Sequence, residues 1–264
     1  MSENPYDAYH LTVEGLVDYC TCPLIYLFRY VHKLEWNMPP AQAYQTALRG
    51  AAHYLFRAVQ GGYYPALPEM KRVWGVVWHQ KAKRLGISQD YINRQNVLGL
   101  EQLVKMQQFF RGNPGNPILV NREYTITTNG IRLTGQVDLI REWHGKLEVF
   151  AFNPTPRPPS KIFTVFDPTL IAAGMGMEQL LSQSIDRAYV YFIRQARVSE
   201  YKINAKDIEN FGLMVQRIRA AISAGTFYPR LFDDYCVECS FWAACKNKDW
   251  YIDSVPNLNK KVPG

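Results

Sequence analysis

Four of the five cysteines form a pattern that suits metal binding. Cys236, Cys239 and Cys245 make a Cys-x2-Cys-x5-Cys cluster near the end of the chain, and Cys22 lies far upstream. Thiolate sulfur is a soft ligand that suits zinc or an iron–sulfur cluster. We see no signal peptide and therefore expect a reducing compartment, where such spacing rarely indicates disulfides. The pattern predicts a metal site that joins the two ends of the fold.

The composition indicates a soluble protein with a basic surface. The 264 residues, 47% of them hydrophobic, allow one large core or two small ones. No apolar run approaches the roughly 18 residues needed to cross a bilayer, so we expect a cytoplasmic protein with no membrane partner. The net charge of +7, with 17 tyrosines and 6 tryptophans, favours a polyanionic partner contacted by cations and rings. A generic basic surface fits the same composition.

The elements that position these residues begin with helices. Thr12 is a suitable cap for a first helix, and Pro23 for the first position of a second. The periodicity predicts helices at residues 12–19, 23–32, 42–59, 67–85 and 88–111. Glycine, proline and asparagine at 111–117 end this helical region, and the period then changes from 3.6 to 2. Turn dipeptides at 129–130 and 144–145 predict antiparallel strands at residues 118–127, 131–142 and 146–153.

The remaining elements complete an α/β pattern. The proline-rich run 154–159 must be a loop. Asp167 and Asn204 are predicted caps of helices that extend to about residues 186 and 225, and strands are expected at 188–194 and 198–203. The order α, βββ, α, β, β, α without a repeat is typical of one core. We predict a single domain over 1–264, in which residues 1–112 are helical, residues 113–225 form an α/β core and residues 226–264 are cysteine-rich.

Four local patterns occur in order and resemble one family. They are the segment 12–26, which contains Cys22-Pro23, then Gly50-x2-His53, Gly135-x2-Asp138-Leu-Ile, and the terminal cysteine cluster. Together they resemble RecB-like nucleases of the PD-(D/E)XK superfamily, in particular the iron–sulfur branch with the CRISPR-associated exonuclease and the AddB nuclease domain. The resemblance implies a restriction-endonuclease-like α/β core, a mixed sheet flanked by helices, with a helical N-terminal region and a C-terminal iron–sulfur segment.

The resemblance also implies a cofactor. In that family the matching cysteines hold a 4Fe-4S cluster, here Cys22, Cys236, Cys239 and Cys245. Ligand chemistry alone allows zinc, and the resemblance favours the cluster. Cys20 matches nothing in the family pattern, and we interpret it as a thiol of the core.

The nuclease site implied by the resemblance is incomplete. The family uses acidic and imidazole groups to hold a divalent metal, with a lysine that helps to position water. His53 and Asp138 match this pattern, and Glu123 lies where an accessory carboxylate is expected. The third strand should supply an acid and a lysine, but Ala151 and Asn153 occupy those positions. One carboxylate is a poor anchor for magnesium.

Other residues do not restore the site by spacing alone. Glu148 lies three residues before Ala151, so strict alternation places their side chains on opposite faces of the strand, and only a bulge would change this. A helical Gln-x3-Tyr pattern of the family falls at Gln179 and Gln183 without its tyrosine. The candidate phosphate contacts are arginines close to aromatic residues, and core packing of those aromatic residues is the alternative. They are Arg49, Arg57, Arg194 and Arg197.

We therefore expect a binding or scaffold protein with a degenerate nuclease fold and a structural 4Fe-4S cluster. The sequence favours this interpretation over an enzyme. Its expected partner is DNA, single-stranded or forked, or proteins of a CRISPR, recombination or phage complex. One rival is an active single-stranded DNA exonuclease that uses Mg or Mn with His53, Glu123 and Asp138, in which Glu148 or a shifted residue supplies the missing carboxylate. A second rival is a protein–protein adaptor that does not contact DNA.

Overall fold

The structure is a computed structural model that describes residues 10–35, 38–155, 166–230, 236 and 239–246. The chain divides into two compact units, one of residues 1–39, 125–134 and 208–264, and one of residues 40–124 and 135–207. The expected boundaries at residues 112 and 225 fall inside these units. One domain over 1–264 stays a prediction.

The elements follow the predicted order. The helices are α1 (Val13–Thr21), α2 (Pro23–Tyr26), α3 (Pro40–Gln60), α4 (Leu67–Arg84), α5 (Gln89–Arg111), α6 (Pro168–Leu181), α7 (Ala205–Ser223) and α8 (Trp242–Lys246). The strands are β1 (Leu11–Thr12), β2 (Asn116–Thr128), β3 (Ile131–Trp143), β4 (Lys146–Asn153), β5 (Arg187–Phe192) and β6 (Arg197–Tyr201). The α/β class, with a mixed sheet flanked by helices, is confirmed.

Two helices differ from their predicted bounds. The helix expected at 23–32 is α-helical only as far as Tyr26, and a π-helical segment, Leu27–Val31, follows because the N–H of His32 donates to the Leu27 carbonyl. The helix expected to reach residue 186 ends at Leu181, since Ser182 adopts the left-handed conformation at a φ of 53°. Neither change has a glycine or proline to mark it.

In the unit of residues 40–124 and 135–207, the strand order is β3–β4–β5–β6, with β2 paired to β3. The β3–β4 and β5–β6 pairs are antiparallel, and β4–β5 is parallel. The register places Arg141 opposite Glu148 and Phe152 opposite Tyr191. One face of β4 is covered by aromatic rings of α3 and α5: Phe56 stacks on Phe152 at 5.6 Å, and Phe110 lies 6.1 Å from Phe150.

Helices α3, α4 and α5 pack together through the inner face of α4. Trp74 and Trp78 are fully buried and stack 6.0 Å apart. The ring of Tyr44 meets both indoles edge-on at 5.6 Å. The indole N–H of Trp78 donates to the Ile92 carbonyl at 3.1 Å, so a buried donor is satisfied by the next helix. This face fixes the rotation of α4 about its axis.

The unit of residues 1–39, 125–134 and 208–264 is stabilised by a helix cap and by contacts between aromatic rings. The Thr12 hydroxyl accepts from the N–H of Gly15 and caps α1, as predicted. Strand β1 pairs in parallel with the start of β3. The Tyr19 hydroxyl donates to the Thr226 carbonyl at 2.6 Å, and Tyr26 stacks on Phe227 at 6.4 Å. Along the described segments of the chain, no helix combines the length and apolar character needed to cross a membrane.

Candidate nucleic-acid and metal sites

The position of Asp138 on β3 is prepared by two glycines. The ring of Tyr124 is buried between Gly135 and Gly176: a Cβ added at Gly135 would lie 2.5 Å from that ring, and one at Gly176 would also collide with it. Any larger residue at position 135 would therefore displace Tyr124. The Gly135-x2-Asp138 spacing thus has a packing reason as well as a place in the family pattern.

Both carboxylate oxygens of Asp138 are bound by protein groups. Nε2 of His53 lies 2.7 Å from Oδ1, and the backbone N–H of Phe152 donates to Oδ2 at 2.7 Å. His53 is itself buried on α3, and its ring contacts that of Phe152. Asp138 retains only 14% exposure of its side chain. The structure thus brings two predicted site residues, His53 and Asp138, into direct contact.

Arg49 adds a positive charge to the same place. It lies one helical turn before His53 on α3, and its Nε is 3.8 Å from Oδ1 of Asp138. Its Nη2 donates to the Phe152 carbonyl at 3.2 Å, while 49% of its side chain stays exposed. Sequence reasoning named Arg49 as a phosphate contact and missed this ion pair, for which the one-turn spacing from His53 was the available signal.

Strand β4 carries Ala151 and Asn153 at the two positions where the family pattern has an acid and a lysine. Beyond the pair Leu139–Phe150, the next residues of β3 and β4 are Asp138 and Ala151, so an acid at position 151 would lie beside Asp138. The Asn153 amide oxygen accepts from the N–H and the hydroxyl of Thr155 at 2.9 and 2.6 Å. Asn153 therefore closes a local turn and carries no charge.

Glu148 has a partner elsewhere. It is 2% exposed, and its Oε2 accepts from both Nε and Nη2 of Arg141 at 2.8 Å. Arg141 also donates to the Asn113 carbonyl at 2.6 Å and lies over the ring of Phe150 at 4.6 Å. The β3–β4 register is regular at Glu148, without the bulge that would bring it beside Ala151. As strict alternation predicts, Glu148 therefore does not lie beside Ala151.

The other predicted site residues differ in their exposure to solvent and in their contacts with the protein. Glu123 is exposed on β2 and forms no ion pair within the segments that the structure describes. Gln179 and Gln183 are exposed at the end of α6 and just beyond it. Arg57 is exposed on α3. Arg194 donates to the Pro154 carbonyl at 2.8 Å and lies over Tyr44, and Arg197 lies 5.3 Å over Phe192.

The four predicted metal-binding cysteines line one pocket. Its apolar wall includes Leu24, Phe28, Phe241 and Trp242, and the sulfur side is formed by Cys22, Cys236, Cys239 and Cys245. Arg230 closes the pocket: its N–H donates to the Cys22 sulfur at 3.4 Å, and its carbonyl accepts from the Cys236 thiol at 3.6 Å. Residues far apart in sequence thus converge here.

Burial favours the neutral form of two thiols in this pocket. Burial raises the pKa of Cys239, and the neighbouring Cys22 and Cys236 raise it further. Burial also raises the pKa of Cys245, with added repulsion from the other three thiolates. A bound metal reverses this preference because its charge stabilises thiolate. Cys20 does not line the pocket, and burial raises its pKa as well.

Neither site holds a ready-made ligand shell for one ion. Among the residues that the structure describes, no group of three or more His, Cys, Asp or Glu side chains is arranged so that it could hold a metal ion. At Asp138 the reason is visible, since its neighbours are one imidazole, one guanidinium and a backbone N–H.

Comparison with known proteins gives the family. The sequence model of the PD-(D/E)XK nuclease superfamily matches residues 10–246. A crystal structure from Eubacterium rectale, described as "Putative exonuclease", is similar at a TM-score of 0.55 and 11% identity, over 100% of this chain and 96% of that one. The structure of SSO0001 matches at a TM-score of 0.37 and 22% identity, over 66% of this chain and 81% of that one. A search of curated proteins finds no match.

Proposed function

The chain belongs to the PD-(D/E)XK nuclease superfamily, and we propose that it binds nucleic acid through a degenerate RecB-like nuclease fold without cleaving it. The observation that carries the proposal is the state of Asp138, whose two oxygens are bound by His53 and by the N–H of Phe152. Each contact occupies one of the two lone-pair sites of its oxygen and competes with a divalent cation for the carboxylate. Ala151 and Asn153 supply neither the second acid nor the lysine.

Arg49 supports binding in place of catalysis. Magnesium sites that act on phosphates use one or two carboxylates together with the substrate, whereas here a guanidinium lies beside the single carboxylate at 3.8 Å. A guanidinium offers several N–H donors to phosphate oxygens, and half of this side chain is open to solvent. The same place on the fold therefore suits a phosphate held by hydrogen bonds without a metal.

The partner class we propose is DNA, single-stranded or forked, within a CRISPR, recombination or phage complex. The net charge of +7 supports a polyanion, and the family supports nucleic acid. Exposed Arg49 and Arg57 on α3 are the best of the four predicted arginine contacts. Arg194 and Arg197 are engaged in packing on aromatic rings and are weaker candidates.

For the cysteine pocket we propose a 4Fe-4S cluster held by Cys22, Cys236, Cys239 and Cys245. The convergence of four thiols on one pocket supports this donor set. Its role is structural: thiolate–iron bonds would link the start of the helical region to the C-terminal segment. Zinc has the same donors available, so metal analysis decides between the two.

The test of the proposed function is an assay of cleavage beside one of binding. Labelled single-stranded and forked DNA is incubated with the wild type and with Asp138→Ala, in magnesium and in manganese. We expect binding at low salt, and no cleavage by the wild type above the variant, because a single carboxylate cannot stabilise the phosphoryl transition state.

Two outcomes would favour the rival functions. Robust metal-dependent cleavage that Asp138→Ala abolishes would establish the exonuclease. Absence of binding at about 50 mM salt, where phosphate contacts are strong, would favour the adaptor that does not contact DNA. The double change Ala151→Asp with Asn153→Lys tests whether the scaffold still supports magnesium-dependent cleavage once its missing groups return.

A further inference from the structure

Helix α4 has an outer face of unpaired positive charge. Its exposed residues include Lys71, Arg72, Lys83 and Arg84. Across the chain segments that the structure describes, none of these four forms an ion pair with an acidic side chain. The single acid of α4, Glu69, accepts hydrogen bonds from Tyr54 and Tyr63 and does not neutralise the outer face.

Arg72 and Lys83 lie on one narrow, straight stripe of this face, which Lys71 and Arg84 flank. At 100° per residue, Arg72, Val76, His79 and Lys83 fall within one third of the helix circumference. All four are exposed. The Nδ1 of His79 bonds to the Gly75 carbonyl at 2.8 Å. This stripe, from Arg72 to Lys83, is about 16 Å long at a rise of 1.5 Å per residue.

The inner face makes this stripe rigid. The buried residues of α4 are Met70, Trp74, Trp78 and Ala82, one helical turn apart. The indoles of Trp74 and Trp78 donate to backbone carbonyls of α5. Because the packed face cannot turn outward, the cations are held toward solvent.

We propose that the outer face of α4 binds the phosphate backbone of nucleic acid, an inference that rests on the proposed nucleic-acid-binding function. A length of about 16 Å spans about five phosphates of one strand of a duplex. The two tryptophans of α4, Trp74 and Trp78, are fully buried, so the imidazole of His79 is the one ring that the stripe presents. Its contacts are to phosphate, and the binding they provide is independent of sequence.

The test compares two charge-neutralising double variants of the full chain. One is Arg72→Gln with Lys83→Gln on the α4 stripe. The matched control is Lys146→Gln with Lys202→Gln, which removes the same net charge from exposed lysines elsewhere in the same unit. Binding of a labelled single strand, and of the same sequence as a duplex, is measured by fluorescence anisotropy over a range of salt. Circular dichroism confirms that each variant is folded.

Two lost phosphate contacts lower the salt slope by about 1.4 for a single strand and about 1.8 for a duplex. Between about 50 and 200 mM salt, both proteins should lose affinity for the single strand. The fold-loss of the α4 variant should be about one seventh of the fold-loss of the wild type. Its weakening should be the same for different sequences. The control should keep the wild-type slope.

The outcomes separate this inference from the function on which it rests. If the wild type binds DNA and the α4 variant keeps both affinity and slope, the stripe is a solvated face and the inference is wrong, while the proposed function stands. Equal weakening in the control indicates a general charge effect and also overturns the inference. If the wild type does not bind DNA, the proposed function fails first.

Discussion

Asp138 has a structural role because its carboxylate is bound by His53 and by the N–H of Phe152, and both of these residues are buried. Replacing it with alanine leaves the N–H of Phe152 and the ring of His53 without their acceptor. We expect Asp138→Ala to lower the free energy of unfolding by about 1–3 kcal/mol. Urea denaturation measures this change.

The control is Glu123→Ala, which removes an exposed carboxylate from β2 and should change stability by less than about 0.5 kcal/mol. Carboxylates gathered for catalysis strain the fold, and their removal commonly stabilises it. A gain in stability for Asp138→Ala would therefore contradict the structural role and favour an intact metal site.

The pair of Arg141 and Glu148 is the most deeply buried ion pair that the structure describes, at 4% and 2% exposure. Glu148→Ala would leave a buried guanidinium without its carboxylate, which costs about 3–5 kcal/mol. We expect the urea midpoint to fall accordingly. Glu101→Gln breaks the exposed pair with Lys105 and should cost no more than about 0.5 kcal/mol.

The double variant Arg141→Met with Glu148→Leu separates packing from charge. Since it removes both charges and keeps apolar volume, it should recover most of the stability lost in Glu148→Ala. A Glu148→Ala protein as stable as the wild type would show that Glu148 is free for another function, as the exonuclease hypothesis required.

At the scale of elements, alanine substitutions at two glycines on neighbouring helices should change stability in opposite directions. A Cβ added at Gly99 on α5 would collide with the indole of Trp74, whereas at Gly75 on α4 it would meet nothing within 4 Å. Gly99→Ala should destabilise by about 1–3 kcal/mol through overpacking. Gly75→Ala should stabilise by about 0.5–1 kcal/mol, because alanine has the higher helix propensity.

Thermal unfolding followed by circular dichroism measures both variants under the same conditions. A neutral Gly99→Ala would mean that α4 and α5 can separate enough to accept a methyl group. The outer face of α4 would then be less rigid than the indole contacts indicate.

The sequence predicts these elements best where the determining interaction is local. Thr12, Asp167 and Asn204 cap their helices as predicted, because each side-chain oxygen accepts from an N–H two or three residues ahead. The end of α6 at Leu181 has no such marker, since Ser182 adopts the left-handed conformation without being glycine. The π-helical segment Leu27–Val31 likewise leaves no composition by which to recognise it.

The candidate site was less predictable because its contacts join distant segments. The pattern named His53 and Asp138, but their 2.7 Å contact spans 85 residues. The register that pairs Glu148 with Arg141 decides the role of Glu148, and register follows from the whole hairpin. The cations of α4 were not identified from the sequence, because only the fold shows that Trp74 and Trp78 face inward.

At the scale of the whole molecule, a net positive charge accompanies the absence of an acid at position 151 and of a lysine at position 153. Carboxylates hold metal ions at a nuclease site, whereas cationic side chains bind phosphate in any protein that contacts nucleic acid. This chain has a net charge of +7, a guanidinium beside its remaining site carboxylate, and an unpaired basic face on α4. These features support the proposed binding of nucleic acid.

The last prediction concerns the cysteine pocket. Protein purified without oxygen should contain about four irons per chain with matching sulfide. Because Cys22 lines the pocket and Cys20 does not, Cys22→Ser should lower the iron content and the melting temperature, whereas Cys20→Ser should leave both unchanged. Iron and sulfide analysis with thermal unfolding measures the two effects.

Removal of the metal from the wild type by chelation should reproduce the lower melting temperature of Cys22→Ser, because metal binding contributes directly to folding free energy. It should have little further effect on Cys22→Ser itself. Zinc in place of iron would overturn the cluster and leave the four-cysteine site intact. Loss of metal in Cys20→Ser with retention in Cys22→Ser would overturn the ligand assignment, since the thiol that Arg230 contacts through its N–H would then not be a ligand.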